Sequence, residues 1–152
     1  MVLMDTAQVT IDNSSVHNNS AAILQKTNDR ILHNGASFAG GLVAVGTSKV
    51  VMTNSNMSGN YAQVAGGILA MHNATLELSR CNVHDNQALD GSGGGLLVMD
   101  AVMLTITDGC SIANNDCTGG VGGGIAVWMD AGDNLLFGGT GRFEGSATLH
   151  AT

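Results

Sequence analysis

Side chains able to do acid–base chemistry are sparse in these 152 residues. Asp100 and Asp130 each close an apolar run that follows a glycine pair, and His72 closes another. Stacked on adjoining repeats, two carboxylates and an imidazole would suit general acid–base work, including cleavage of a glycosidic bond. The whole row, Asp5, Gly46, His72, Asp100 and Asp130, also reads as a set of strand-end turn residues, and that reading is adopted here. Arg30, Arg80 and Arg142 fall in unrelated positions, so no cationic base accompanies the acids. No catalytic residue is expected.

Metal and thiol chemistry fare similarly. Cys81 and Cys110 share a position with Ser14 and Ser55, which places the two thiols on adjacent repeats. That separation permits a disulfide in principle, while the small serines of the same position point to buried free thiols. Cys117 occupies a position otherwise held by alanine and needs no further role. His17 and His84 share a position two repeats apart, with Ser58 between them, too far to bind one zinc. The stretch GGTGRFEGS (138–146) echoes a calcium-binding nonapeptide, yet Phe143 stands where that motif needs an aspartate. No metal and no cofactor are expected. Sequons begin at Asn13, Asn18, Asn56 and Asn73, and matter only if a eukaryote secretes the protein.

What must hold these residues is a repeating scaffold. Of the chain 44% is apolar and only 11% charged, with 22 glycines, no proline and 3% aromatics. Disorder does not suit that composition, and a core without rings must be filled by aliphatic side chains and methionine. The net charge of −7 disfavours binding to nucleic acid or to anionic lipid. No apolar run is long enough to cross a membrane as a helix.

The repeats set the architecture. VTIDNSSVHNNSA (9–21), VVMTNSNMSGNYA (50–62) and LELSRCNVHDNQA (76–88) align without a gap. LTITDGCSIANNDC (104–117) needs one extra residue, and LLFGGTGRFEGSAT (135–148) is a decayed copy. Counted from the residue after each glycine pair, Leu42, Ile68, Leu96 and Ile125 lie 26, 28 and 29 positions apart. Pairs such as Val50/Met52 and Leu76/Leu78 alternate with mostly polar neighbours, which is strand periodicity. The expected fold is all-β: a single parallel β-helix domain over 1–152, of about five coils, with uncapped ends. Stacking at about 4.8 Å per coil would turn equivalent residues into ladders. Val16, Met57, Val83, Ile112 and Phe143 should point inward. Asn19, Asn60, Asn86 and Asn115, with Ser146 last, should form a corner ladder whose amides bond from coil to coil, the asparagine itself taking the left-handed backbone of the turn.

These residues resemble the repeats of the polymorphic outer membrane proteins, which pair a GGAI tetrapeptide with an FxxN motif. The first is seen in Gly66-Gly67-Ile68 and its equivalents. The second is seen in Met57-Ser58-Gly59-Asn60, Val83-His84-Asp85-Asn86 and Ile112-Ala113-Asn114-Asn115, with an aliphatic residue in place of Phe. The resemblance covers the chain apart from 22–39. It implies a right-handed, pectin lyase-like parallel β-helix at a cell surface or outside the cell, usually in adhesion.

Three expectations remain. Neither terminus reads as a cap, so other chains, or the rest of a longer chain, should cover both solenoid ends. Residues 22–39 leave the repeat, either as a binding excursion or as a surface loop or short helix. The strand after each glycine pair is apolar on both faces. If Leu42, Ala44 and their equivalents face the core, then Val43, Val45, Leu69, Met71, Leu97, Met99, Ala126 and Trp128 form an outward stripe two columns wide, a candidate surface for a protein partner. The function expected is a non-catalytic structural or adhesive segment, with no nucleic-acid binding and no membrane insertion. The alternative is a carbohydrate-active β-helix whose site lies partly outside this chain.

Overall fold

A computed structural model describes residues 1–21, 24–27, 30–33, 38–100, 102–128, 135–137, 141–142 and 146–150. They form a parallel β-solenoid. Three turns carry all four strands, beginning with Leu42–Val45, Ile68–Met71 and Leu96–Met99. Ahead of them lies a turn made of Val2–Leu3, Gln8–Asp12, Ser15–His17 and an isolated bridge from Ser20 to Tyr61. Ile125–Trp128 follows them on the first sheet.

Register follows the sequence repeats. On the first sheet Leu42, Ile68, Leu96 and Ile125 are successive neighbours. On the second, Val9, Val50, Leu76 and Leu104 are neighbours. On the third, Val16, Met57, Val83 and Ile112 are neighbours. The inward residues of all three sheets share one core, in which Met52, Met57, Ile68, Leu76 and Leu96 have no exposed surface. Each such side chain contributes about 2 kcal/mol through loss of apolar surface to water. With almost no aromatics available, the core is filled by repetition of aliphatic layers.

The C-terminal segment departs from the expected fifth coil. Leu135–Phe137, Gly141–Arg142 and Ser146–His150 pair antiparallel with the preceding coil on the first, third and second sheets. The C-terminal edges of those three sheets, expected to be bare, are therefore occupied by reversed strands. Leu135 faces Val127 rather than continuing the Val9 column, and Ser146 faces Thr107 rather than following Asn115. The reason is physical: a two-residue apolar period is the same in either chain direction. Phe143 lies outside the described residues. Within 22–39, Leu24–Thr27 and Arg30–His33 pair antiparallel as a two-stranded sheet of their own, where a loop or short helix was expected.

One interior position is imperfect. Ala7, Ser48, Ala74 and Val102 precede equivalent strands, each linked to an adjacent coil through its carbonyl or its neighbour's N–H. Ser48 is fully buried and its hydroxyl has no hydrogen-bond partner among the described residues. Ser48→Ala should raise unfolding stability by about 1 kcal/mol in urea titration, because an unpaired buried hydroxyl costs that much or more. A loss of stability would show that the hydroxyl is engaged after all.

Candidate interaction surface

The strands of the first sheet alternate between two destinations. Leu42, Ala44, Ile68, Ala70, Leu96, Val98, Ile125 and Val127 face the main core. The expected two-column outward stripe is only half present. Val43, Leu69, Leu97 and Ala126 are buried in a second apolar cluster with Ala65, and Ala39, Val64, Val45, Met71 and Met99 pack against it. Ala39 and Ala65 bridge one another just ahead of their glycine pairs. The backbone approaching the first two glycine corners thus belongs to this cluster, a tertiary contact that the strand period does not encode.

The other column stays at the surface. Val45, Met71 and Met99 are partly buried and Trp128 is 38% exposed. Val45 pairs with Met71 and Met99 with Trp128, and the intervening strands keep the same register. Met4, 62% exposed, stands one residue beyond Leu3, the partner of Ala44, and so extends the row. The result is one file of large, mostly flexible apolar side chains along the solenoid axis.

Two ladders bond the coils to one another. Asn60 Oδ1 accepts the backbone N–H of Asn19 at 3.2 Å and its amide at 2.9 Å. Asn86 Oδ1 serves Asn60 in the same way at 3.0 and 2.9 Å, and Asn115 Oδ1 serves Asn86 at 3.0 and 2.9 Å. Each amide also donates backward to a carbonyl of the inward column, Asn60 to Val16, Asn86 to Met57 and Asn115 to Val83. Asn60, Asn86 and Asn115 are buried, whereas Asn19 is exposed. The asparagines were expected to supply the left-handed backbone and do not. The residue before each does: Asn18, Gly59, Asp85 and Asn114 have φ of 54°, 61°, 55° and 53°. That turn swings the next side chain inward, where it bonds the stack.

The serine–cysteine column repeats the device. Asn13, Asn54, Arg80 and Gly109 turn left-handed, and Ser55, Cys81 and Cys110, which follow three of them, are buried. Ser55 Oγ accepts the N–H of Ser14 at 3.0 Å and Cys110 Sγ accepts that of Cys81 at 3.3 Å. Ser55 Oγ and Cys81 Sγ also donate to carbonyls two residues back. All three cysteines are free thiols. The contact with Cys110, reinforced by burial, pushes the Cys81 thiol up, and the same contact lowers the Cys110 thiol. Burial raises the Cys117 thiol.

The turn-corner row is also in place. Asp5, His72 and Asp100 have φ of 57°, 56° and 61°, and Gly46 of 74°. His72 Nε2 lies 3.1 Å from Asp100 Oδ2. Asp130 lies outside the described residues. His17 and His84 flank Ser58 on the third sheet, two coils apart.

A feature that sequence reading missed is a depression of about 310 Å³ on the outer face of the second sheet, lined by residues including Val51, Thr53, Glu77, Ser79, Thr105 and Thr107. Lys49 Nζ reaches Glu77 Oε1 at 2.7 Å on this face. Thr53 Oγ1 donates to Asp12 Oδ1 at 2.6 Å and Asn54 adds a second bond at 3.0 Å. These bonds hold the Asp12 carboxyl below its ordinary range. The hydroxyl column Thr53, Ser79, Thr107 was the available signal.

The family model described as right handed beta helix region matches residues 1–139. No curated protein and no solved structure matches the chain significantly.

Proposed function

Because the chain belongs to the right-handed β-helix family, we propose that it is a non-catalytic structural or adhesive segment of a larger surface or extracellular protein or assembly. It holds side-chain ladders rigid and offers an apolar strand row to a protein partner. One observation carries this reading: the Met71–Met99–Trp128 file stands at the surface of a solenoid whose coils are bonded to one another by Asn60, Asn86 and Asn115. Such a stack keeps the file straight without help from a ligand. The backbone beneath it needs no ordering on binding, which favours association.

The test is retention of protein-coated beads on a panel of matrix proteins and cell surfaces. Met71→Lys with Met99→Lys should cut retention about tenfold while circular dichroism and the melting curve stay close to wild type. Both side chains are only partly buried, so lysine can extend its charge into water. Equal retention of both proteins would end this assignment.

A second reading, a carbohydrate-active β-helix, is supported by the hydroxyl-lined depression around Glu77. Release of reducing sugar or unsaturated-uronate absorbance from a polysaccharide panel, lost on Glu77→Gln, would favour it over the adhesive reading.

A further inference from the structure

We propose that the file of Met4, Val45, Met71, Met99 and Trp128 docks a basic amphipathic helix of a partner protein, an inference that rests on the partner-surface reading above. The shape of the site selects the occupant. Within the first sheet the strands Leu42–Val45, Ile68–Met71 and Leu96–Met99 are each paired on both sides. Along these three strands no backbone donor or acceptor is left for an added strand, so recognition there must run through side chains. Five positions at about 4.8 Å span about 19 Å. A helix rising about 1.5 Å per residue covers that length with about 13 residues and shows an apolar side chain every three or four. Methionines adapt to such a row without a preset shape.

Charge selects the sign. Asp5 and Asp100 lie in the turn row immediately beside the file, Asp100 with His72 against it. Lys49, beyond the corner, is engaged by Glu77. The chain carries a net charge of −7, so a second copy would bring like charge to the contact, whereas lysines on a helix would meet the two carboxylates.

Trp128 is the sole tryptophan and sits in the file, so its emission reads the site directly. The probes are three peptides of about 14 residues: leucine and lysine in helical register, the same composition permuted to destroy the apolar face, and leucine with glutamate in register. The registered lysine peptide should shift Trp128 emission to shorter wavelength. Its affinity should fall about tenfold between low and physiological salt, and several-fold in the Asp5→Asn/Asp100→Asn variant, whose side chains keep their size. Equal binding of the permuted peptide, or unmoved Trp128 emission, would overturn the proposal. Equal binding of the glutamate peptide would overturn the basic partner alone. The adhesive reading would stand or fall separately on bead retention.

Discussion

Asn86→Ala should cost about 3–5 kcal/mol of unfolding free energy, while Asn19→Ala should cost about 1 kcal/mol. The contrast follows from position in one ladder. Asn86 Oδ1 receives two hydrogens from Asn60, and its amide gives one each to Met57 O and Asn115 Oδ1, all at 2.9–3.0 Å. Alanine leaves the Asn60 N–H and the Met57 carbonyl without these partners in a place that water does not reach. Buried orphans cost more than the bonds were worth, since neither group recovers its solvation. Asn19 only donates forward to Asn60 and is itself exposed, so water replaces what it loses. With a domain's whole stability commonly about 5–15 kcal/mol, the first substitution removes a large share.

Asn86→Asp sharpens the test. One carboxylate oxygen would replace the amide nitrogen and face Met57 O and Asn115 Oδ1, both acceptors. Only the protonated acid can donate there, so the folded-state pKa of the new group should rise above its unfolded value of about 3.9. A raised carboxyl pKa means that stability is greatest below the unfolded value and declines as pH rises through the folded one. Urea midpoints measured across pH should therefore diverge from wild type towards neutrality. Asn86→Ala within about 1 kcal/mol of wild type would mean that the ladder contributes no more than a surface amide.

The same residues mark what could be read from the chain alone. Val50, Leu76 and Leu104 declared their column through alternation, and Asn60, Asn86 and Asn115 through spacing, because stacking makes register a property of the repeat. The left-handed residue was misplaced by one position, since asparagine is eligible both for the turn and for the ladder. Asp85 and Gly59 occupy the turn, with φ of 55° and 61°, and leave the neighbouring asparagine free to bond the stack. Burial of Leu69 and Leu97 was not legible: alternation says that they oppose Ile68 and Leu96 but not that Ala65 and Val64 pack with them. The depression over Thr53 and Ser79 escaped because it is a shape of the outer face, of which the sequence shows only the hydroxyl column and not the hollow.

Gly66→Ala should cost about 3 kcal/mol or more, an overpacking penalty at the upper end of the usual range. A Cβ on Gly66 would lie 2.3 Å from Gly94 O and 2.5 Å from Gln87 N, and both obstacles are backbone. The control is Gly109→Ala. There φ is +71° and nothing lies within 4 Å, so the cost is confined to left-handed strain of about 1–2 kcal/mol. Gly66 needs no unusual φ; it needs the absence of a side chain where two coils touch. Its neighbour Gly67 approaches the Asn86 side chain, with a notional Cβ 3.3 Å from Asn86 Cγ. The glycine corner of one coil therefore seats the asparagine corner of the next, which explains why the two motifs recur together. Prising the coils apart at Gly66 must also strain the Asn60–Asn86 bonds, so Gly66→Ala and Asn86→Ala should be markedly sub-additive in a denaturant-melting cycle, with coupling above about 1 kcal/mol. Full additivity, or a Gly66→Ala loss no greater than that of Gly109→Ala, would separate the two corners and undo the account of how this solenoid holds its spacing.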